Sequence, residues 1–203
     1  EAIGINIVRV NGFEADDIIA TYARRCAGEK QPCMIITGDK DLMQLVSEYT
    51  GVLRPDKNGY EKLGREEVFA HYGVYPEQIV DYLSLTGDSA DNIPGVKGIG
   101  PKTAASLLLE YGNIDGIYSN LGALTGSVKN KLEEGRESCA LSRELVVLRD
   151  DVAVEKSFSD FSTASLSFES AAALFEAENA KSLVSWVAGK SGKGESAVNV
   201  QKE

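Results

Sequence analysis

Cysteine, histidine and tryptophan are scarce in this sequence. Its 203 residues include three cysteines, one histidine and one tryptophan. Cys26, Cys33 and Cys139 are odd in number and widely spaced, with no CxxC pair and no histidine near them. This spacing argues against a disulfide framework or a cysteine–histidine zinc site. It predicts buried free thiols in a reducing compartment.

Long apolar runs and positive charge are also lacking. No stretch approaches the roughly 18 apolar residues of a membrane span, and no signal peptide is visible. Lysine and arginine total 21 against 31 acidic residues, which gives a formal net charge of -10. On charge alone we favour an acidic protein without a polyanionic partner, because phosphate contacts usually come from basic surfaces. Carboxylates that bind divalent cations would offset part of this deficit.

The first 85 residues alternate between strand and helix patterns. Strands are predicted for 4–10, 33–37 and 52–54, and helices for 15–26 and 41–46. The short apolar run CMIIT is typical of a buried parallel strand. Lys57, Asn58 and Gly59 suit a tight hairpin turn. The alternation predicts an α/β fold with a mostly parallel sheet flanked by helices.

After Arg65 the pattern is helical. We predict helices over 66–72, 77–85, 101–111, 128–134, 136–148 and 170–177. The last fifteen residues, GKSGKGESAVNVQKE, have little apolar content and predict a flexible linker or tail. The chain therefore divides into an α/β part at 1–85, a helical part at 86–155, and a C-terminal helix with a linker at 156–203.

Acidic residues cluster at three element ends. Each cluster alone has an ordinary explanation, because acids cap helices and complement the helix dipole. Ligand sites of open α/β sheets, however, lie beyond the carboxyl ends of the strands. Seven carboxylates that converge there would repel one another unless cations held them, and oxygen ligands favour Mg²⁺ or Mn²⁺. The carboxylates are Glu14, Asp16, Asp17, Asp39, Asp41, Asp88 and Asp91.

A glycine-rich segment follows the third cluster. GVKGIGPKT, from Gly95 to Thr103, predicts a hairpin that leads directly into a helix. Glycines allow close backbone approach to a ligand, and a helix N-terminus is a suitable seat for phosphate. Carboxylates beside a phosphate seat indicate metal-assisted chemistry on a nucleic-acid backbone.

The motifs GFEADD, ITGDKDLMQLV and LTGDSADNIPGVKGIGPKTA resemble, in order and spacing, the signature of the 5′-nuclease superfamily. That family includes flap endonucleases and the 5′→3′ exonuclease domain of bacterial DNA polymerase I. The segment from Phe168 to Trp186 and the tail after it resemble the connection to the next domain of a DNA polymerase I. The resemblance implies a PIN-like α/β core followed by a helix–three-turn–helix subdomain, a DNA partner, and a polymerase domain in the same full-length bacterial, nucleoid-associated cytoplasmic protein.

The resemblance also implies roles for individual residues. Glu14, Asp16 and Asp17 bind one divalent metal ion, to which Asp39 contributes, and Asp41, Asp88 and Asp91 serve a second. The hairpin grips duplex phosphates through Lys97, Gly98, Gly100, Lys102 and Thr103, and backbone carbonyls of Val96 and Ile99 hold a potassium ion. The implied activity is metal-dependent 5′→3′ exonuclease and 5′-flap endonuclease cleavage of DNA.

The sequence departs from the family pattern at its start. The family has a first strand that ends in an aspartate ligand, a second upstream aspartate and a basic helical arch, and this sequence contains none of them. We therefore expect an N-terminally truncated core that is weakly active or inactive alone. Two other readings stay open: a non-catalytic DNA-binding module, and a metal-dependent phosphohydrolase of small phosphate esters.

Overall fold

The computed structural model describes residues 4–57, 59–161, 166 and 168–191. The chain divides into two compact units. The larger unit is Gly12–Val152, and the smaller one combines Glu1–Asn11 with Ala153–Glu203. No helix among the described residues is both long and apolar enough to cross a membrane. All the predicted site residues belong to the larger unit.

The sheet of the larger unit has three strands in the order β1–β2–β3, namely Cys33–Ile36, Thr50–Asp56 and Gly59–Leu63. β1 pairs with β2 in parallel, with Cys33 opposite Thr50, and β2 pairs with β3 in antiparallel fashion, with Val52 opposite Leu63. The α/β class is confirmed, and the sheet of the described residues contains one pair of each kind. The predicted hairpin turn joins β2 to β3, although Asn58 lies outside the described residues.

Nine helices are described across the two units. In the larger unit they are α1 (Ala15–Gly28), α2 (Arg65–Tyr72), α3 (Ile79–Thr86), α4 (Pro101–Tyr111), α5 (Ile114–Ser119), α6 (Gly126–Glu134) and α7 (Arg136–Val146), with 3₁₀ helices at Asp41–Leu45 and Pro76–Gln78. The smaller unit contains a 3₁₀ helix at Phe158–Phe161, followed by α8 (Phe168–Ala177) and α9 (Lys181–Ser191).

Most predicted helices are present, and a few elements differ. The strand predicted for 4–10 is wrong, because an alternating pattern cannot supply the hydrogen-bonded neighbour that a strand requires. The segment predicted as a helix over 41–46 is a 3₁₀ helix, and α5 and α9 were not predicted. Of the predicted linker, Gly189 to Ser191 belong to α9, and the rest lies outside the described residues. The three-part domain division stays a prediction.

The core of the larger unit is built around α3. Its residues Ile79, Leu83 and Leu85 are almost completely buried, and the helix packs against α4 and α7. The buried carboxylate of Asp81 accepts a hydrogen bond from the N–H of Ile114 at 3.1 Å, which ties α3 to the start of α5. Because α3 ends at Thr86, this packing determines where the acidic loop at 88–91 emerges.

The segment after α7 is attached to α1. The N–H of Val152 donates to Oγ1 of Thr21 at 3.1 Å, and this hydroxyl donates to the carbonyl of Asp17 at 2.8 Å. Arg24 forms an ion pair with Asp150 at 2.7 Å. These contacts fix the orientation of α1, whose first turn carries two of the predicted ligands.

The glycine hairpin is clamped by α7. The N–H of Gly95 donates to Oγ of Ser142 at 2.9 Å, and the hydroxyl of Ser138 donates to the carbonyl of Gly95 at 2.6 Å. Gly95 has a φ of +63°, and a Cβ at this position would overlap the main-chain nitrogen of Gly87. Only glycine combines this positive φ with the absence of a Cβ. The hydrogen bonds to α7 therefore fix the start of the hairpin at a position that requires glycine.

We predict that Gly95→Ala lowers the free energy of unfolding by about 3 kcal/mol, because it combines a left-handed backbone with a steric overlap. Gly100→Ala is the matched control, since Gly100 has a φ of -98° and open space around its missing Cβ. Urea unfolding followed by circular dichroism measures both variants. Equal stability of the two would show that the hairpin tolerates displacement at Gly95.

Candidate functional site

The first turn of α1 carries the first acidic cluster. Glu14 precedes the helix and is exposed, while Asp16 and Asp17 are half-buried. The carboxylate of Asp17 accepts the N–H of Arg149 at 2.9 Å through Oδ1 and the N–H of Glu14 at 3.4 Å through Oδ2. Asp17 thus joins the start of α1 to the segment after α7.

The second cluster follows β1. Thr37 and Gly38 lead from the strand to Asp39, whose N–H donates to Oγ1 of Thr37 at 3.0 Å. Oδ1 of Asp39 then accepts the N–H of Asp41, the first residue of the 3₁₀ helix, at 3.0 Å. The N-cap of this 3₁₀ helix is Lys40, so the inferred capping role of Asp39 is wrong. The two hydrogen bonds instead orient Asp39 and Asp41 at the carboxyl end of a parallel strand.

The third cluster lies in a tight loop after α3. Main-chain hydrogen bonds between Asp88 and Ile93, at 2.9 and 2.7 Å, close this loop. Oδ1 of Asp88 accepts the N–H of Ala90 at 2.9 Å, and the ammonium group of Lys40 contacts Oδ2 of Asp88 at 2.7 Å. The side chain of Asp88 is almost completely buried, whereas Asp91 is exposed. The ion pair joins the second cluster to the third.

Three carboxylates from the second and third clusters meet. Asp39, Asp41 and Asp91 each offer one oxygen, and these oxygens lie within 4.8 Å of one another. Oδ1 of Asp41 is buried and has no hydrogen-bond partner in the described part of the chain. A set of oxygen donors with one unpartnered buried oxygen fits a hard divalent cation such as Mg²⁺ or Mn²⁺.

The pKa values indicate strained electrostatics at this cluster. Burial, with repulsion from Asp39 and Asp91, raises the pKa of Asp41 to about 6. The pKa of Asp91 is also raised, first through its hydrogen bond with Asp88. Burial would raise the pKa of Asp88, but hydrogen bonds from Lys40, Ala90 and Asp91 outweigh it and hold the value below its ordinary range.

Asp16 belongs to the same electrostatic field. Its pKa is raised, first by burial and then by the negative charges of Asp39, Glu14, Asp17 and Asp91. Asp16 on α1 therefore lies within the electrostatic field of the cluster. Asp17 also contributes to this field, and each of its oxygens accepts one backbone N–H.

The hairpin presents the second group of predicted site residues. Lys97, Gly98, Gly100 and Lys102 are exposed, and Thr103 is half-buried in the first turn of α4. The side chains of Val96 and Ile99 are buried in the core, and the carbonyl of Val96 accepts the N–H of Ile99 at 2.9 Å. The exposed residues thus lie on an anchored turn.

Lys40 and Lys131 are two site residues that the sequence analysis did not single out. Lys40 stands between two predicted ligands in TGDKD, so its position in the motif was the available signal. Lys131 lies on α6, and its ammonium group donates to the carbonyl of Gly98 at 3.1 Å. No sequence pattern links α6 to the hairpin 33 residues earlier.

Two adjacent family models match the chain. Residues 1–73 match the model of the 5′-3′ exonuclease N-terminal resolvase-like domain, and residues 74–169 match that of the 5′-3′ exonuclease C-terminal SAM fold. DNA polymerase I of Treponema pallidum is 43% identical over 183 residues, 90% of the chain. The thermostable DNA polymerase I of Thermus thermophilus is 42% identical over 158 residues, 78% of the chain. The chain spans 18% and 19% of the lengths of these relatives.

Solved structures show the same similarity. A zinc-bound T5 5′-exonuclease has a TM-score of 0.60 and 27% identity, with 69% of this chain and 52% of that chain covered. A bacteriophage T5 flap endonuclease in a pseudo-enzyme–product complex with DNA and metal ions is similar at 26% identity, with the same TM-score and coverage. The catalytic core of Rad2 with a DNA substrate shares the fold, with a TM-score of 0.58 and 17% identity over 92% of this chain and 66% of that chain.

We predict that the free energy of unfolding of the metal-free chain falls as pH rises from about 4 to 6. Asp41 titrates near its ordinary pKa of about 4 when unfolded and near about 6 when folded. The folded state holds more protons within this window, so stability decreases as they leave. At pH 7 in EDTA, Asp41→Asn should stabilise the chain by on the order of 1 kcal/mol after allowance for solvent screening.

The same comparison tests the metal. Mg²⁺ or Mn²⁺ should raise the unfolding temperature of the parent at pH 7 more than that of Asp41→Asn. Asp115→Asn, which removes an exposed carboxylate of α5 outside the cluster, is the control and should respond to metal like the parent. An Asp41→Asn variant that is less stable than the parent at pH 7 in EDTA would contradict the repulsion argument.

Proposed function

We propose, from the premise that this chain belongs to the 5′-3′ exonuclease family, that it is the nuclease part of a DNA polymerase I. Its activity is divalent-metal-dependent hydrolysis of DNA phosphodiesters, as a 5′→3′ exonuclease and a structure-specific 5′-flap endonuclease. The observation that carries the proposal is the convergence of Asp39, Asp41 and Asp91, with an unpartnered buried oxygen on Asp41, in a chain that also carries an anchored glycine hairpin.

The carboxylates differ in what they do. Asp39, Asp41 and Asp91 hold one divalent ion, and Asp16 and Glu14 extend the ligand field from α1. When bound, two such ions activate a water molecule and stabilise the leaving oxygen of a phosphodiester. Asp88 orients Lys40 against the cluster, and it serves the second ion with Asp91. Asp17 completes the proposed ligand set. Its hydrogen bonds with the N–H groups of Arg149 and Glu14 also fix the first turn of α1.

The hairpin binds the DNA backbone. Gly98 and Gly100 carry no side chain, Gly100 has open space around it, and the N–H groups at the start of α4 form a seat for phosphate. Lys97, Lys102 and Thr103 add charge and a hydroxyl group without a geometry for reading bases. Binding is therefore independent of sequence, and it positions a duplex with a nick or a 5′ flap so that the scissile phosphate reaches the carboxylates.

Three further elements complete the proposal. Backbone carbonyls of Val96 and Ile99 hold a potassium ion, which is compatible with the second lone pair that the Val96 carbonyl retains. The partners are DNA and a polymerase domain in the same full-length chain. The protein acts in replication and repair in the bacterial cytoplasm, in association with the nucleoid.

We predict that Asp91→Asn lowers Mg²⁺-dependent cleavage of a 5′-flap duplex at least about a hundredfold, because it removes a ligand that stabilises transition-state charge. The assay uses the chain joined to, or mixed with, the upstream segment of a DNA polymerase I relative. Asp115→Asn is the matched control and should cleave like the parent, since its carboxylate lies outside the cluster.

The outcomes of this assay separate the alternatives. Binding of the flap substrate with no cleavage, even with the upstream segment supplied, would indicate a non-catalytic DNA-binding module. Turnover of p-nitrophenyl phosphate without cleavage of DNA would indicate a phosphohydrolase of small esters. Metal-dependent release of the flap by the parent, lost in Asp91→Asn, supports the nuclease.

The hairpin makes a separate prediction about affinity. With EDTA present, Lys102→Ala should bind duplex DNA more weakly and lower the slope of log K against log salt by about one. Gly100→Val should also weaken binding, because a branched side chain would keep phosphate away from the main chain. The variant should still fold, because a Cβ at Gly100 would have open space around it. Fluorescence titrations at several salt concentrations measure both. Parental affinity in both variants would make the hairpin a structural turn.

A further inference from the structure

Lys131 is held on the hairpin by a close fit. Its ammonium group donates to the carbonyl of Gly98 at 3.1 Å, across a separation of 33 residues. A Cβ added at Gly98 would lie 2.9 Å from Cε and 3.1 Å from Nζ of Lys131. The end of the lysine side chain therefore lies beside Gly98, whose φ of +83° favours glycine.

The C-terminal end of α6 also packs closely against the hairpin. A Cβ added at Gly135 would lie 2.7 Å from Cγ1 of Val96 and 2.9 Å from the carbonyl oxygen of Lys131. The junction between α6 and α7 thus packs directly on the hairpin, and Ser138 and Ser142 of α7 bind Gly95 just beyond it. This packing places the backbone of Lys131 beside the hairpin, so that its side chain reaches the exposed Gly98 carbonyl.

The charge of Lys131 is not neutralised by an acidic side chain. Within the described ranges, Lys131 has no carboxylate in ion-pair contact, whereas Lys129 on the same helix pairs with Glu133 at 3.9 Å. An ammonium group has three donors, and the Gly98 carbonyl occupies one. The other two are available to a ligand with strong acceptors.

We infer that Lys131 is a phosphate-binding residue of the hairpin, delivered from α6. Its ammonium group bridges the carbonyl of Gly98 and a phosphate oxygen of DNA, between the exposed side chain of Lys97 and the start of α4. The inference deepens the proposed DNA binding and rests on it. Lys131 of α6 then adds its charge to those of Lys97 and Lys102, which concentrates positive charge at the hairpin of an acidic chain.

The test is a duplex-DNA titration of the chain in EDTA at several salt concentrations, with Lys131→Met, Lys131→Arg and Lys129→Met. Methionine retains most of the apolar stem, and Lys129→Met removes the same charge from the same helix without touching the hairpin. Lys131→Met should bind roughly three- to tenfold more weakly at low salt and reduce the salt slope by about one. Lys131→Arg should keep the slope, and Lys129→Met should stay within about twofold of the parent.

The salt slope separates a phosphate contact from a structural role. A Lys131→Met variant that loses affinity with an unchanged slope, or that matches Lys129→Met, overturns the inference. The inference is also overturned if Lys131→Arg lowers the salt slope as much as Lys131→Met does, because arginine retains the positive charge. If Lys102→Ala weakens binding while Lys131→Met does not, only this inference fails. If neither variant changes binding, the proposed DNA-binding role of the hairpin fails with it.

Discussion

Repulsion between carboxylates is the constraint on which the site depends. Asp39, Asp41 and Asp91 bring oxygens within 4.8 Å of one another, and one buried oxygen of Asp41 has no hydrogen-bond partner among the described residues. The chain tolerates this arrangement because regular elements impose it: a strand in a parallel pair, a 3₁₀ helix and a loop closed by main-chain hydrogen bonds. Lys40 supplies a compensating positive charge through its ion pair with Asp88. A divalent ion would remove the rest of the repulsion.

The hairpin depends on a different principle. Contacts with the protein core hold the buried residues of the hairpin in place, and this leaves its exposed backbone available to a ligand. Ser138 and Ser142 satisfy both main-chain groups of Gly95, while the side chains of Val96 and Ile99 are buried in the core. An anchored turn loses less conformational entropy when it binds, so moderate charge suffices for affinity. The proposed phosphate-binding role of the hairpin is in this way compatible with a net charge of -10.

Local patterns predicted much of the architecture. The bounds of α4 agree with the prediction because Pro101 and Gly112 stand at its ends. The apolar run before Asp39 does form a strand parallel to β2, but it is not buried as predicted, because Met34 and Ile36 are exposed. The strand predicted near residue 4 failed, since strand formation depends on a partner that no local pattern encodes. Helix α5 was missed because it is short and is capped by Asn113 and by the distant carboxylate of Asp81.

The sequence by itself determined which residue types stand at the element ends. The sequence alone contains the order of the acidic clusters, the glycine spacing of the hairpin and the resemblance to 5′-nucleases, because these features are local or belong to a shared motif. Only the tertiary structure decided which carboxylates meet and that Asp17 binds backbone N–H groups. It also decided that Lys40 pairs with Asp88 and that Lys131 contacts the hairpin. These outcomes rest on contacts between residues far apart in the chain, and packing, rather than local preference, determines them.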